Sequence, residues 1–348
     1  MPNSARKPRL IVYGDIAVDV TILARSIPML GADARDTEIY VRPGGSAANC
    51  AVAAARLGAP VEFVGVTGSD YLAQMLIDDL QDNGVGVGHL RRTAGPTAVV
   101  AVMVNPGGER TFYSFRGAAM SVPYGPVPPD LIQPGDFLHL SGYSFQDEHS
   151  RQTALQLIAL GKTAGATISL DPSFHSAQDF QDRLRPVMAD IDIILPNSQE
   201  AGLMTGESVP ERAAAVIRRL GPRIVVIKLG NEGCLLNSPR GDVRIRAYPA
   251  AVVDTTGAGD AFCGGFLAGL LSGLDPTEAA RLGHVAAVHV VAHRGGHDGA
   301  PSLAEVYEYL LAHRDDGLAS ALLAVIASQN RRTPNSRPAG EDGKAEGR

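Results

Sequence analysis

The sequence predicts an α/β fold, a mostly parallel central sheet flanked by helices, with a small separate β-sheet beside it. Three observations support this. Short apolar runs alternate with helix-period segments through most of the chain. Two segments break that alternation with strands that no helix separates. Glycine-rich turns open two of the predicted helices. The 348 residues, 45% hydrophobic and 20% charged, are ample for one large α/β core.

In chain order, residues 10–13 read as a first buried strand. An alanine-rich helix is expected over 47–57, a strand over 61–66 and an amphipathic helix over 71–83. Residues 37–41 and 97–115 read as hairpin strands, the second pair turning at Asn105-Pro-Gly-Gly-Glu109. Lid strands are therefore placed at about 17–43 and 95–117, either as a separate sheet or as an antiparallel extension of the main one. Apolar runs at 137–140, 167–170, 191–195 and 224–229 read as further strands. Helices at 150–164, 179–189 and 210–220 lie between them. Residues 1–328 are taken as one domain, and 329–348, polar and rich in Pro, Gly, Arg and Glu, as a disordered tail.

Composition excludes several classes. A net charge of -6 with dispersed basic residues provides no footprint for nucleic acid. No apolar run approaches the roughly 20 residues needed to cross a bilayer. The N-terminal apolar run is too short for a signal peptide. Cys50, Cys234 and Cys263 are spaced neither for a disulfide framework nor for zinc, which suggests a reducing, cytoplasmic setting.

The most informative stretch is Asp254-Thr-Thr-Gly-Ala-Gly-Asp260. A β-branched run ends there, and a helix-like pattern begins with an acid at its mouth. Helix N-termini hold anions through free N–H groups and the helix dipole. Gly257 and Gly259 allow close backbone approach. An acid beside such a turn is a candidate general base next to a phosphate. The plainer alternative is an ordinary acidic first turn.

Other constellations sit at predicted strand ends, where ligands bind in open α/β sheets. Gly44-Gly45-Ser46 opens the alanine-rich helix, and Asn49 lies in its first turns. Asp15 and Asp19 follow the first strand, and a solvated turn acid suits Asp15 better than Asp19. Asn197 and Glu200 share a helical face and suit water-mediated magnesium binding, or equally a capping box. Lys228, Gly230 and Gly233 could line a nucleotide, or form a hairpin turn. His289, His293 and His297 are spaced by four, but Gly295-Gly296 interrupts the helix and no carboxylate accompanies them. Gly161-Lys162-Thr163 lacks the first Walker glycine, since position 156 is Gln156. No G-x-G-x-x-G follows the first strand.

Together these residues resemble the ribokinase-like (PfkB) carbohydrate kinase family, from about Leu10 to Pro301. The 254–260 stretch matches that family's C-terminal signature. Gly44-Gly45…Asn49-x-Ala51…Leu57-Gly58, with Gly65…Gly68-x-Asp70, matches the N-terminal one. The resemblance implies a ribokinase-like fold with a β lid over a sugar. It implies Asp260 as base, and the N–H groups of Gly257, Ala258 and Gly259 as an anion hole. Asp19, Gly44, Gly45 and Asn49 are similar to sugar binders, and Arg116 is a candidate for an acidic or phosphorylated acceptor. Asn197, Glu200, Lys228, Gly230 and Gly233 fall on the ATP side, with Glu200 reaching Mg2+ through water. Asp254 and Thr256 match positions where relatives hold K+.

Departures from the ribokinase pattern weaken ribose as acceptor. Ala17 replaces an Asn, Ser46 a Lys, and Ser141-Gly142-Tyr143 stands where a Glu is expected. The Thr often found at the position of Lys228 is also missing. The 109–116 segment is more similar to fructokinase- and ketodeoxygluconate-kinase-like members. The sequence-based expectation is therefore an ATP-dependent sugar kinase acting on a hydroxymethyl group. A nucleoside kinase of the same fold is the alternative, with Tyr40, Phe112, Tyr113 and Phe115 available to stack on a base. A non-catalytic sugar- or nucleotide-binding regulator would need a lost base or anion hole. Pairing of two lids would make a homodimer.

Overall fold

The computed structural model describes residues 6–331 except 25, 27–28, 35–36, 106–109 and 119–122. The Asn105–Glu109 turn signal thus falls mostly outside the described residues. Among the described residues the chain forms thirteen strands and eleven α-helices. The first half holds β1 (Leu10–Tyr13), β2 (Ala17–Ala24), β3 (Thr37–Gly44), α1 (Ser46–Arg56), β4 (Val61–Thr67), α2 (Tyr71–Asp82), β5 (Val85–Arg92), β6 (Val99–Val104) and β7 (Arg110–Phe115). After these come β8 (Phe137–Ser141), α3 (Glu148–Ala164), β9 (Thr167–Asp171), the short α4 (Phe174–Gln178) and α5 (Phe180–Arg183), β10 (Ile193–Ile194), α6 (Ser198–Thr205) and α7 (Pro210–Arg218). The C-terminal part holds β11 (Ile224–Lys228), β12 (Cys234–Ser238), β13 (Gly241–Ile245), α8 (Ala258–Leu271), α9 (Pro276–Val291), α10 (Leu303–Ala312) and α11 (Asp316–Arg331).

The main sheet has nine strands in the order β13-β12-β11-β10-β9-β8-β1-β4-β5. It is parallel from β5 to β11, and β12 and β13 run antiparallel at one edge. Strand alternation divides the core between its two faces. Leu10 and Val12 pack with Phe63 and Phe266 on one side, while Ile11 and Tyr13 pack with Leu138 and Leu140 on the other.

The lid is a separate four-stranded sheet, β3-β2-β6-β7. It is not an extension of the main sheet. Its central pair, β2 and β6, is parallel, and both outer pairings are antiparallel.

Several boundaries differ from expectation. The helix expected over 179–189 breaks into α5 and a 3-10 turn at Arg185–Asp190. Pro186 cannot donate the backbone hydrogen bond that a continuous helix requires. β5 was not expected, because Gly86, Gly88 and two arginines hide its strand pattern. α11 runs to Arg331, past the expected tail start at 329, and the remaining tail lies outside the described residues. Among the described residues, no helix is long and apolar enough to cross a membrane.

Candidate active site

The carboxyl ends of the parallel strands converge on one cleft. Asp15 follows β1, Ser141 ends β8, Asp171 ends β9, Asn197 follows β10 and Lys228 ends β11. Helix α1 begins over this cleft with Gly45 at its N-cap, which has no side chain to cap the helix. Asp15 performs that task. Its carboxylate accepts from the Ser46 N–H at 2.8 Å, the Ala47 N–H at 3.4 Å and the Ser141 hydroxyl at 2.9 Å. Asp15 is therefore occupied in holding the N-terminus of α1, and is a half-buried capping group rather than the solvated turn acid of its plainer reading.

Helix α8 starts opposite. Asp254 Oδ1 accepts from the Thr256 N–H at 2.9 Å and its hydroxyl at 2.8 Å, which folds the turn before the helix. Gly257 follows with φ of 74°, the left-handed region. The Gly296 carbonyl lies where a Gly257 side chain would start, so only glycine fits there. Gly264, about two turns further on, lets α8 approach the backbone of α1 at Cys50. The two helix N-termini are thereby brought side by side.

Asp260 sits in the first turn of α8 and takes two hydrogen bonds from α1. The Ser46 hydroxyl donates to Oδ1 at 2.7 Å, and the Asn49 amide donates to Oδ2 at 2.8 Å. Burial pushes the Asp260 carboxyl up to about 6, and the Asp171 charge adds to this, while Asn49 and Ser46 pull it back. A carboxylate so tuned is ionised near neutral pH and still basic enough to accept a proton. Burial also raises Asp19 to about 7, reinforced by the charges of Asp15 and Asp260.

On the far side of Gly259 lies Lys228. Its Nζ is 2.7 Å from Asp171 Oδ1 and 3.6 Å from Cys263 Sγ. Burial alone would favour the neutral amine, but the adjacent Asp171 carboxylate, with Glu200, outweighs it and holds Lys228 charged. Glu200 is buried, and Oε2 accepts from the Asn197 N–H at 2.8 Å while Asn197 accepts from the Glu200 N–H at 2.8 Å. This is the capping box foreseen as the alternative, and it does not remove the pair from the site, since both side chains also line the cleft. Burial and the Asp171 charge push Glu200 up to about 7.

Two cavities meet at Gly259 and Lys228. The first, of 520 Å³, is lined by Asp19, Gly45, Asn49, Arg116, Asn197, Glu200, Gly257 and Asp260. The lid covers it by register: Asp19 on β2 pairs with Val100 on β6, which pairs with Ser114 on β7, and all three line the cavity. Gly44 packs beneath the Asp19 carboxylate and does not itself line the cavity. Arg116 is fixed by Gln146 at 3.2 Å and by stacking 4.4 Å over the Tyr143 ring. The second cavity, of 550 Å³, is lined by Gly230, Gly233 and Ala258 and by apolar groups including Val252, Phe262, Val288 and Val291. Asp254 and Thr256 border a third, of 150 Å³, under the lid.

The structure thus brings most of the expected residues together and adds others. Asp171, Ser173, Phe174 and His175 also line the first cavity, and Asp79 and His297 support it from behind. Asp171 ends a strand, a signal available in the sequence; the others come from short loops without a pattern. Of the four aromatic residues considered for base stacking, only Phe112 lines the first cavity. Tyr40 bonds Glu38 and Arg294 instead, while Tyr113 and Phe115 are exposed. Among the described residues, no group of three His, Cys, Asp or Glu could hold a metal ion by itself. His289 and His293 bond backbone carbonyls through Nδ1 at 2.9 Å each, while both ring nitrogens of His297 are engaged elsewhere, by Asn49 and Asp79.

Comparison with known proteins accords with this geometry. The model of the pfkB family carbohydrate kinases matches residues 7–303. An uncharacterized sugar kinase of Escherichia coli, YegV, is 32% identical over 324 residues, covering 90% of this chain and 97% of its own. Aminoimidazole riboside kinase from Salmonella enterica, solved with aminoimidazole riboside and an ATP analog, superposes with a TM-score of 0.74 at 26% identity, covering 87% of this chain and 99% of its own. A candidate ribokinase II from Escherichia coli in complex with ATP and Mg2+ gives 0.78 at 25% identity, covering 88% and 100%. The chain has the ribokinase-like fold and belongs to the pfkB family of carbohydrate kinases, phosphotransferases that act on hydroxyl groups of sugars.

Proposed function

We propose that this protein transfers the γ-phosphoryl group of ATP to a hydroxymethyl group of a sugar or sugar-like molecule. One observation carries the reading. Asp260 stands at the N-terminus of α8, where the polar cavity under the lid meets the more apolar cavity beside Gly230 and Gly233.

In this reading the acceptor lies under the lid, against Asp19, Asn49 and Arg116. Asp260 takes the proton of the attacking hydroxyl. The N–H groups of Gly257, Ala258 and Gly259 face the charge that develops on the phosphoryl group, aided by the α8 dipole. Lys228, kept charged beside Gly259, adds a fixed positive charge. Phosphoryl transfer needs mostly such positioning and charge stabilisation. The purine fits the apolar walls at Val252, Phe262 and Val288.

Mg2+ suits this donor set, because it keeps most of its waters and takes only one or two carboxylates with phosphate oxygens. Glu200, with Asp171 nearby, would hold it and neutralise phosphate charge. Asp254 and Thr256 are the residues proposed for K+, at the border of the third cavity. The exposed lid residues Ile39, Val41, Tyr113 and Phe115 support pairing of two lids, which molar mass in solution would test. One domain spanning 1–328 completes the proposal.

Phe112 and Phe174 keep a nucleoside acceptor as the second reading. The polar lining of the cavity, with Asp19, Asn49, Asp171, Arg116 and His175, favours a polyhydroxylated acceptor instead. A panel of sugars and nucleosides with ATP, read by ADP release, separates them. Turnover of nucleosides alone would reverse the order, and no turnover on any acceptor would favour a binding regulator.

A further inference from the structure

Behind the base lies a chain of buried polar groups. Asn49 is 4% exposed and His297 3% exposed. His297 Nδ1 is 2.8 Å from Asn49 Oδ1, and its Nε2 is 2.9 Å from Asp79 Oδ2. Asn49 in turn donates from Nδ2 to Asp260 Oδ2 at 2.8 Å. The four residues come from α2, the 295–300 loop, α1 and α8.

The direction of this chain follows from its Asp260 end. Ionised Asp260 can only accept. The Asn49 NH2 must therefore face Asp260, which turns Oδ1 toward His297. Oδ1 also only accepts, so His297 Nδ1 carries a hydrogen. Nε2 faces Asp79 Oδ2, which holds the ring in place. An imidazole donating from Nδ1 fixes the Asn49 amide in one of its two orientations. The flipped amide would present a carbonyl oxygen to the Asp260 carboxylate, where two acceptors repel.

We infer that His297, held by Asp79, is a positioning residue that orients Asn49 so that it donates to the base. The inference rests on Asp260 being the base, and it concerns a residue that does not touch the acceptor. The steric frame agrees. A Cβ on Gly296 would come within 2.6 Å of the Asn49 amide, so the loop carrying His297 lies directly against it. The same Gly296 carbonyl fills the space beside Gly257. The 295–297 loop therefore braces both the anion turn and the amide that serves the base.

Two isosteric variants separate positioning from mere packing. In His297→Asn the amide nitrogen replaces Nδ1, which keeps the bond to Asn49 and drops the one to Asp79. In His297→Gln the amide nitrogen replaces Nε2, which keeps Asp79 and drops Asn49. Thermal melting should place both variants at similar stability. With the acceptor turned over fastest in the panel, His297→Asn should stay within about threefold of the parent kcat. His297→Gln should lose about tenfold, the scale of one hydrogen bond, with KM for ATP unchanged. Side-chain amide NMR of protein labelled with 15N-asparagine reads the same event without any acceptor. The Asn49 pair, assigned from its loss in Asn49→Asp, should shift in His297→Gln and hold its place in His297→Asn. Equal kcat in the two variants, or an Asn49 pair indifferent to both, overturns the inference. Asp260→Asn serves as the control. If it retains turnover, the reading of the base fails, while the NMR result still decides whether His297 orients Asn49.

Discussion

Asn49 and Asp260 are 211 residues apart in the chain and joined by a 2.8 Å hydrogen bond across the mouths of two helices. The bond ties the helix opened by Gly44-Gly45 to the helix opened by the anion turn. It leaves the base fixed before any acceptor arrives. Asp260→Asn keeps the shape of this junction and removes the proton acceptor. Its kcat should fall by about 10²–10⁴-fold, the usual worth of a positioned base. Steady-state ADP release checks it, and near-parental kcat would remove Asp260 from its role.

The pH dependence follows from the same carboxyl. Burial places Asp260 at about 6, and only its ionised form can take a proton. Activity should hold above that value and decline as pH falls through it, approaching tenfold per unit below. A pH–rate profile at saturating ATP checks this. An acidic limb centred near 4 would mean that burial does not tune the base.

Asp19 offers a stability test. Its folded-state value, about 7, lies above the ordinary 3.8. The folded form therefore holds a proton that the unfolded form has released, between roughly pH 4 and 7. Ionising Asp19 costs stability progressively across that window, and fully above it. Asp19→Asn should raise Tm most above pH 7, with the gain shrinking toward pH 4. Melting curves at pH 5 and 8 compare the two directly, and an equal gain at both would contradict it.

Gly257→Ala should be damaging at one atom. A side chain there meets the Gly296 carbonyl and must adopt φ of 74°. Backbone strain of this kind costs about 1–3 kcal/mol. The turn must shift to relieve the contact, which moves the anion hole. Loss of kcat should exceed what the fall in Tm explains, so both are measured together.

Lys228 and Asp171 form a buried pair at 2.7 Å, with side chains 13% and 10% exposed. Lys228→Met leaves Asp171 buried without its partner, and such single removals cost about 3–5 kcal/mol. Lys228→Met combined with Asp171→Asn should recover much of that stability but not the activity, because the positive charge beside Gly259 stays lost. Denaturant melts and ADP release on the parent and these two variants separate the two roles.

Much of the site was legible because its parts are local. The Gly257–Asp260 turn, the Gly44-Gly45 helix start and the Asn197–Glu200 capping box each lie within a few residues, where backbone sterics and capping act. Strands buried on both faces showed as apolar runs. β5 did not, because its glycines and arginines break that pattern. His297 was visible only as the third of three evenly spaced histidines, a spacing unrelated to its partners Asn49 and Asp79.

The sequence by itself determined the alternating α/β framework, the anion turn and the acid within it. Each follows from period, propensity or a glycine's conformational range. Tertiary structure alone decided what those residues do to one another. It assigned Asp15 to capping α1 and put Asp171 against Lys228. It also joined Asp79, His297, Asn49 and Asp260 into one chain of hydrogen bonds. The main sheet sets the ends of β9 and β11 near one another, and packing of α1 against α8, with the 295–300 loop behind them, joins the other partners. No local pattern encodes a contact between segments some two hundred residues apart, because the energy that forms it comes from burying surfaces the chain brings together only on folding.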